Sequence, residues 1–317
     1  MTGLLLGALL ASGAASAWET DQLTGRDQPL PDLAPAADAR LDQAIAAAVA
    51  ETNRQTRCGG TDDQVHAVLA QAIHDQVGPP ERLPGRPWPK WVGYNIYGTW
   101  LEEQPGTRDF LDRSDIYGDL RLWQAPILKL AGTCGTVNLA GTLLGTDKVD
   151  HFLGMGFSYW ERSQLGAFPA RAIAWGAGTE RSIYGRMTSS AFSYADLEAN
   201  LDGYRFYAEL LGPDSVMQRQ EEDGCVAQVR PFHWSGWVDW RYDEVLNPSV
   251  YTRAALAGVR RRLADEQAEI CASYARWGGA DYSAHLARVL ASAPEAAAGV
   301  GPPRVDVFQL SSLCEQR

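Results

Sequence analysis

The chain has 317 residues, of which 45% are hydrophobic and 21% charged, and its formal net charge is −11. That length suits one large domain or two with a sizeable core. The acidic balance argues against nucleic acid, and against an anionic membrane surface, as the main partner.

Residues 1–17 are uncharged and apolar, with Leu4 to Leu10 at the centre and Ala15-Ser16-Ala17 as a small-residue cleavage site. This reads as a secretory signal peptide cut before Trp18, giving a periplasmic or secreted protein. The leading run is too short to cross a bilayer, and nothing later is long and apolar enough, so no transmembrane span is expected. Residues 18–90 read as an N-terminal arm and helical segment. The arm (18–35) is polar and Pro-rich, an Ala-rich helix covers 36–52, and Thr61 caps a second helix to about Val77. His66 and His74 lie on that second helix but not on one turn, which suits ordinary surface or core histidines better than ligands. The Pro-rich run 78–90 reads as a connector.

The main helical domain is expected over 91–300, with a tail at 301–317. Trp91, Tyr94, Tyr97 and Trp100, with glycines between them, read as loop or short strand, and 123–131 is a short apolar segment split by Pro126. Five cysteines are present, at 58, 134, 225, 271 and 314. Export permits disulfides, and the odd count leaves at least one thiol over unless it pairs between chains. Cys225 with Cys271 is the expected pair, both lying beyond the central module. Cys134 precedes His151 closely enough to raise a Cys–His nucleophile pair, but no nucleophile signature surrounds it, and a disulfide or buried thiol is favoured.

The richest stretch is a module over 145–212, read as three helices with polar groups on their inward faces. Burying such groups is costly unless they are paired, so their concentration marks a site. In the first helix, with Thr146 as expected N-cap, Asp147, Asp150, His151, Gly154 and Ser158 share one arc, and Lys148 falls on the flank. In the second, Ile173, Gly176, Ala177, Glu180, Ile183 and Tyr184 form the inward side. In the third, Ser193 and Asp196 form a capping pair, Asp196 and Asn200 fall in the middle of the apolar side, and Gly212-Pro213 is the expected stop. The stripe of Glu198, Asp202, Arg205 and Glu209 is expected to face water. Glycines at 154, 156, 176, 178 and 203 suit close helix approach or a cavity.

Beyond the module, Val226 to Val229 reads as a short strand, 231–251 as aromatic-rich and partly irregular, 252–277 as a long amphipathic helix and 281–292 as another. Trp234, Trp237 and Trp240 form either a sugar-stacking platform or core payload, with packing favoured. Asp239, Asp243, Glu244 and Asn247 are placed to close one side of the central site. Helices dominate, so the expected fold is mostly α, an irregular helical domain with few short strands, with α+β as the alternative.

The run Gly145-Thr146-Asp147-Lys148-Val149-Asp150-His151-Phe152, then Glu180, then Ser193 through Asp196-Leu197 and Ala199-Asn200 to Gly203, resembles a pattern in exported bacterial proteins of the YfiM-like kind. A fainter likeness is to VanZ-like proteins. Thr179 stands where the YfiM-like pattern has a lysine before the glutamate. The resemblance implies a helical, envelope-located module, and its fainter part points to cell-wall biology.

Three functional readings follow. One is a hydrolase or transferase acting on an envelope component, with Asp147, Asp150, His151 and Glu180 as acid, base or metal ligands and Lys148, Asp196, Asn200 and Tyr184 holding the ligand. Another is a non-catalytic protein binding an envelope small molecule or glycan. The last is a buried hydrogen-bonded network that fixes helix register. The residues name neither a cofactor nor a particular metal.

Overall fold

The computed structural model describes residues 19–26, 28–78, 96–108, 114, 117–125, 128–129, 133–164, 175–176, 191–245, 247, 249, 251–253, 255–257 and single positions between 260 and 275. Among these, 53% are helical and 10% strand, so the fold is mostly α. Glu180 and Tyr184, the connector from 79 onward, the leader and the tail lie outside the described residues.

The first two helices, α1 (Ala34–Thr56) and α2 (Asp62–Val77), form an antiparallel pair. Leu41, Ile45 and Ala48 of α1 are buried in one core with Val65, Leu69 and Ile73 of α2. That α2 starts where expected follows from a complete capping box: the Thr61 hydroxyl accepts from Gln64 N, and the Gln64 side chain accepts from Thr61 N. Cys58, in the turn between these helices, is joined to Cys225. The expected Cys225–Cys271 pairing is therefore wrong. Cys271 is also disulfide-bonded, and Cys134 is a buried free thiol.

Where loop or strand is expected around Tyr97 and Trp100, the structure has a helix, α3 (Ile96–Glu102). Gly98 there is a packing device rather than a turn signal: a Cβ at this position would lie 2.1 Å from Asp150 Oδ1. Next comes an antiparallel hairpin absent from the sequence reading, β1 (Thr136–Leu139) and β2 (Thr142–Gly145). Its two-residue turn, Ala140-Gly141, has φ of 54° and 86°. Positive φ at both central residues matches the strand twist, but alanine disguises the signal that Asn-Gly would give.

Gly145 ends β2 and is also the N-cap of α4 (Thr146–Asp150), so the cap sits one residue before the expected Thr146. The Thr146 hydroxyl instead donates to Glu102 Oε1. A π-helical segment (His151–Met155) and α5 (Gly156–Arg162) continue α4 without a break. The third helix of the module, α6 (Tyr194–Ala208), is capped by Ser193 as expected and ends at Glu209, before the expected Gly212-Pro213 stop. It crosses the π segment and α5 at glycines. A Cβ on Gly156 would lie 2.6 Å from Gly203 Cα, and one on Gly203 would lie 1.9 Å from the Phe152 carbonyl oxygen. Only residues without side chains allow this approach.

A second short hairpin, β3 (Met217–Arg219) with β4 (Val226–Gln228), realises the strand expected at 226. The aromatic segment beyond it forms 3₁₀ turns at Trp234–Gly236 and Trp240–Tyr242. Phe152 packs edge-on against Trp234 and Trp237, Phe206 meets Phe232 and Trp237, and Trp234 is fully buried. Trp234 is core payload, and Trp237, half-buried, packs against the same core, as the packing reading expects. The described positions between 253 and 275 are helical wherever they occur in that stretch, as expected for 252–277.

The N-terminal arm is irregular, with a turn at 23–26 between its extended parts, and it is not a loose appendage. Thr20 and Asp32 bridge to Cys134 and Asn138, and Glu19 through Gln22 are buried. The arm delivers polar groups to the interior, beside α4.

Candidate functional site

The site assembles where the arm, α4, α6 and the 240s segment meet. Lys148 is its centre, with no exposed surface. Its Nζ lies 2.6 Å from Asp147 Oδ2, 2.5 Å from Asp196 Oδ1 and 2.6 Å from Glu244 Oε1. The flank position expected for Lys148 is thus incorrect. A helical wheel ranks a residue by its own helix, whereas here the arm and the 240s segment cover the side that the wheel leaves open.

Each carboxylate is placed by local chemistry. Asp147, in the first turn of α4, accepts from Lys148 N through Oδ1. Asp196 sits at the third position of α6, fixed by the Ser193 cap. Ser193 Oγ also donates to Glu244 Oε1, and Glu244 N donates to Gln22 Oε1, tying the 240s segment to both α6 and the arm. Two of the three contacts to Nζ, those from Asp147 and Glu244, are aligned hydrogen bonds. The shortest, to Asp196 Oδ1, is close without hydrogen-bond alignment, and that oxygen accepts no hydrogen bond.

His151, one turn along, is partly exposed at 16% of its side chain and forms the outer edge of the cluster. Its Nε2 lies 3.3 Å from Asp196 Oδ2, and its Nδ1 is 2.9 Å from Asn200 Oδ1. Asn200 Nδ2 donates to the Tyr159 hydroxyl. Both ring nitrogens thus have partners.

Three carboxylates around one ammonium in a dry interior leave an excess of negative charge, which the ionisation behaviour reflects. Burial pushes Glu244 up to about 7, despite the pull of Lys148. Burial likewise raises Asp147, with Lys148 opposing it. At Asp196 burial acts in the same sense, but His151 and Lys148 outweigh it and hold the carboxyl below its usual range. Burial works against the Lys148 charge, yet Asp147, Asp196 and Glu244 together raise it well above the ordinary lysine value. By composition, Asp147, Asp196 and Glu244 suit a divalent cation, each offering an oxygen within 4.8 Å of the others. The space among them is taken by the Lys148 ammonium, which supplies the positive charge a metal would bring.

Of the expected site residues, Asp147, Lys148, His151, Asp196 and Asn200 come together. Asp150 is buried but points towards Gly98 of α3, away from Nζ. Glu244 takes up the closing role proposed for the 240s polar residues. Asp243 instead forms a buried pair with Arg26 of the arm. Ser193 was read only as a cap, and Tyr159 and Gln22 were missed; Gln22 lies in a polar stretch with no pattern to single it out. The stripe expected to face water is only half exposed. Asp202 and Glu198 are covered by Arg241, whose guanidinium reaches Asp202 Oδ2 at 2.8 Å and Glu198 Oε2 at 3.1 Å. Cys134 is a buried free thiol, and burial, then Asp147, pushes it well above its ordinary value, which disfavours the thiolate that a nucleophile needs. His66 and His74 are stacked on Trp160 and Phe157 as packing residues.

Compared with known proteins, the chain matches no family model, no curated protein and no solved structure.

Proposed function

We propose that this chain is an exported cell-envelope protein in which the Lys148 cluster is a non-catalytic lock. The lock clamps the arm, α4, α6 and the 240s segment around a binding edge at His151. The observation carrying this reading is the complete enclosure of Nζ among three carboxylates at 2.5–2.6 Å. A reacting group from outside has no approach to an amine held in that way. Export rests on the apolar leader with its Ala-Ser-Ala site, and the Cys58–Cys225 disulfide suits an oxidising compartment. Among the described residues no helix is long and apolar enough to cross a membrane. The ligand that suits the edge is an envelope small molecule or glycan, in keeping with the envelope location that the YfiM-like resemblance implies and the cell-wall biology to which the fainter VanZ likeness points.

A second reading, a hydrolase or transferase acting on an envelope component, draws on one observation. His151 keeps some exposure, contacts Asp196, and opens a π-helical segment, a distortion often found at functional sites. Neutralising the whole cluster separates the two. The combination Asp147→Asn, Lys148→Met, Asp196→Asn and Glu244→Gln removes the ammonium together with the three carboxylates that touch it, so the fold should survive. Under the lock reading, the variant restores the phenotype of a strain deleted for the chain. A folded variant that fails to restore it would overturn the lock and favour acid–base chemistry.

A further inference from the structure

We propose that Lys148 and Asp196 condense within the folded protein into an isopeptide bond between Nζ and Cγ, with Glu244 as the proton shuttle and His151 as the carbonyl donor. This deepens the lock reading and rests on it: the same clamp becomes covalent.

Four observations carry the idea. Nζ is fully buried and lies closest to Asp196 Oδ1, at 2.5 Å. That contact lacks hydrogen-bond alignment, whereas the Asp147 and Glu244 contacts have it. Glu244 Oε1 is 2.6 Å from Nζ, while its Oε2 is buried and accepts no hydrogen bond, leaving it available to carry a proton. Finally, His151 Nε2 lies 3.3 Å from Asp196 Oδ2, the oxygen that would remain as the amide carbonyl.

The step balances without any co-reactant. A proton passes from the Lys148 ammonium to the Asp196 carboxylate through Glu244, giving a neutral amine and a neutral acid. The cluster holds Lys148 protonated and Asp196 ionised in the resting state, so the neutral amine and acid form the minor, reactive state from which attack proceeds. The Nζ lone pair adds to Cγ, and the carbonyl electrons move onto Oδ2, where the Nε2–H of a doubly protonated His151 donates, its Nδ1–H being held by Asn200 Oδ1. Glu244 then takes a proton from Nζ and delivers it to Oδ1, the Cγ–Oδ1 bond breaks, and one water leaves. Nothing is oxidised or reduced. Amide formation is unfavourable between free partners in water. Reactants held in contact reach effective molarities of about 10⁵–10⁸ M, which offsets that penalty.

Asp147 and Glu244 are the competing acceptors. Asp147 is the sequence neighbour of Lys148 and already binds its backbone N–H, so condensation there would strain a small ring. Glu244 receives the Ser193 hydroxyl on the oxygen facing Nζ, which fixes its carboxyl group for proton transfer rather than attack.

The test is intact mass spectrometry on the purified, fully reduced full chain, followed by protease mapping. The wild type should be lighter than its sequence mass by one water, with a branched peptide joining residues 148 and 196. Glu244→Gln and Lys148→Arg should each restore the full mass in material shown to be folded by tryptophan fluorescence. A wild type of full mass overturns the condensation, as does a branch at Asp147 or Glu244. Either result leaves the non-covalent lock to be judged by the neutralised variant, so the two failures are distinguishable. If neither variant folds, the wild-type mass and branched peptide decide alone.

Discussion

Replacing Lys148 with methionine keeps the length of the side chain and removes its charge. Asp147, Asp196 and Glu244 then face one another without a cation, their oxygens within 4.8 Å. At that separation and an effective dielectric of about 20, each ionised pair repels by roughly 3 kcal/mol, and three pairs approach the total stability of a domain. The folded variant must therefore bind protons that the unfolded chain releases. Each such proton lowers stability by about 1.4 kcal/mol per pH unit, so a single one costs about 4 kcal/mol between pH 5 and 8. Urea unfolding followed by tryptophan fluorescence should show Lys148→Met weakened by at least about 4 kcal/mol at pH 8 and much less at pH 5. A variant within about 1 kcal/mol of wild type at pH 8, or a deficit independent of pH, would refute the reasoning.

Glu244 carries its own pH signature. Its folded value of about 7 lies above the ordinary 4.5, so the folded state holds a proton that the unfolded state loses, and stability falls as pH rises between those values before levelling off. The drop is about 3 kcal/mol, and Glu244→Gln should flatten it in urea midpoints measured from pH 4 to 8. An unchanged slope in that variant would contradict the assignment. Gly203→Ala places a methyl 1.9 Å from the Phe152 carbonyl, backbone that cannot step aside, so thermal unfolding should reveal a loss beyond the usual overpacking range of about 1–3 kcal/mol. A neutral effect would mean the crossing is looser than described. Cys225→Ser opens a link between residues 167 apart in sequence, and the expected destabilisation is about 2–5 kcal/mol under oxidising conditions. Wild-type stability that does not change on reduction would show that this link constrains nothing.

How much of this was legible in the sequence depends on where each partner lies. Asp196 and Asn200 stand in the apolar side of α6, and the Ser193 cap fixes where that helix begins, so their burial follows from periodicity alone. The Thr61 box sets the start of α2 for the same reason. The wheel leaves Lys148 on the flank because its partners Glu244 and, in the arm, Glu19 come from segments far away in the chain. The stripe pattern sends Asp202 to solvent because nothing local reveals that Arg241 covers it. Gly98 and Ala140 mislead in opposite senses. The first is a glycine inside a helix, required by Asp150, and the second is an alanine in a turn that usually carries asparagine. The sequence does not reveal Cys58 as the partner of Cys225, since loop length says nothing about which strand returns beside a helix end.

The central claim is that Lys148 is sealed within its carboxylate cluster, and the three lysines of the chain allow a direct measurement. Lys129, whose Nζ bonds the Gly118 carbonyl near the surface, serves as the internal reference. Reductive methylation of the native protein, mapped by peptide mass spectrometry, should modify Lys129 and leave Lys148 untouched. Methylation of Lys148 at a rate matching Lys129 in the folded protein would contradict the account.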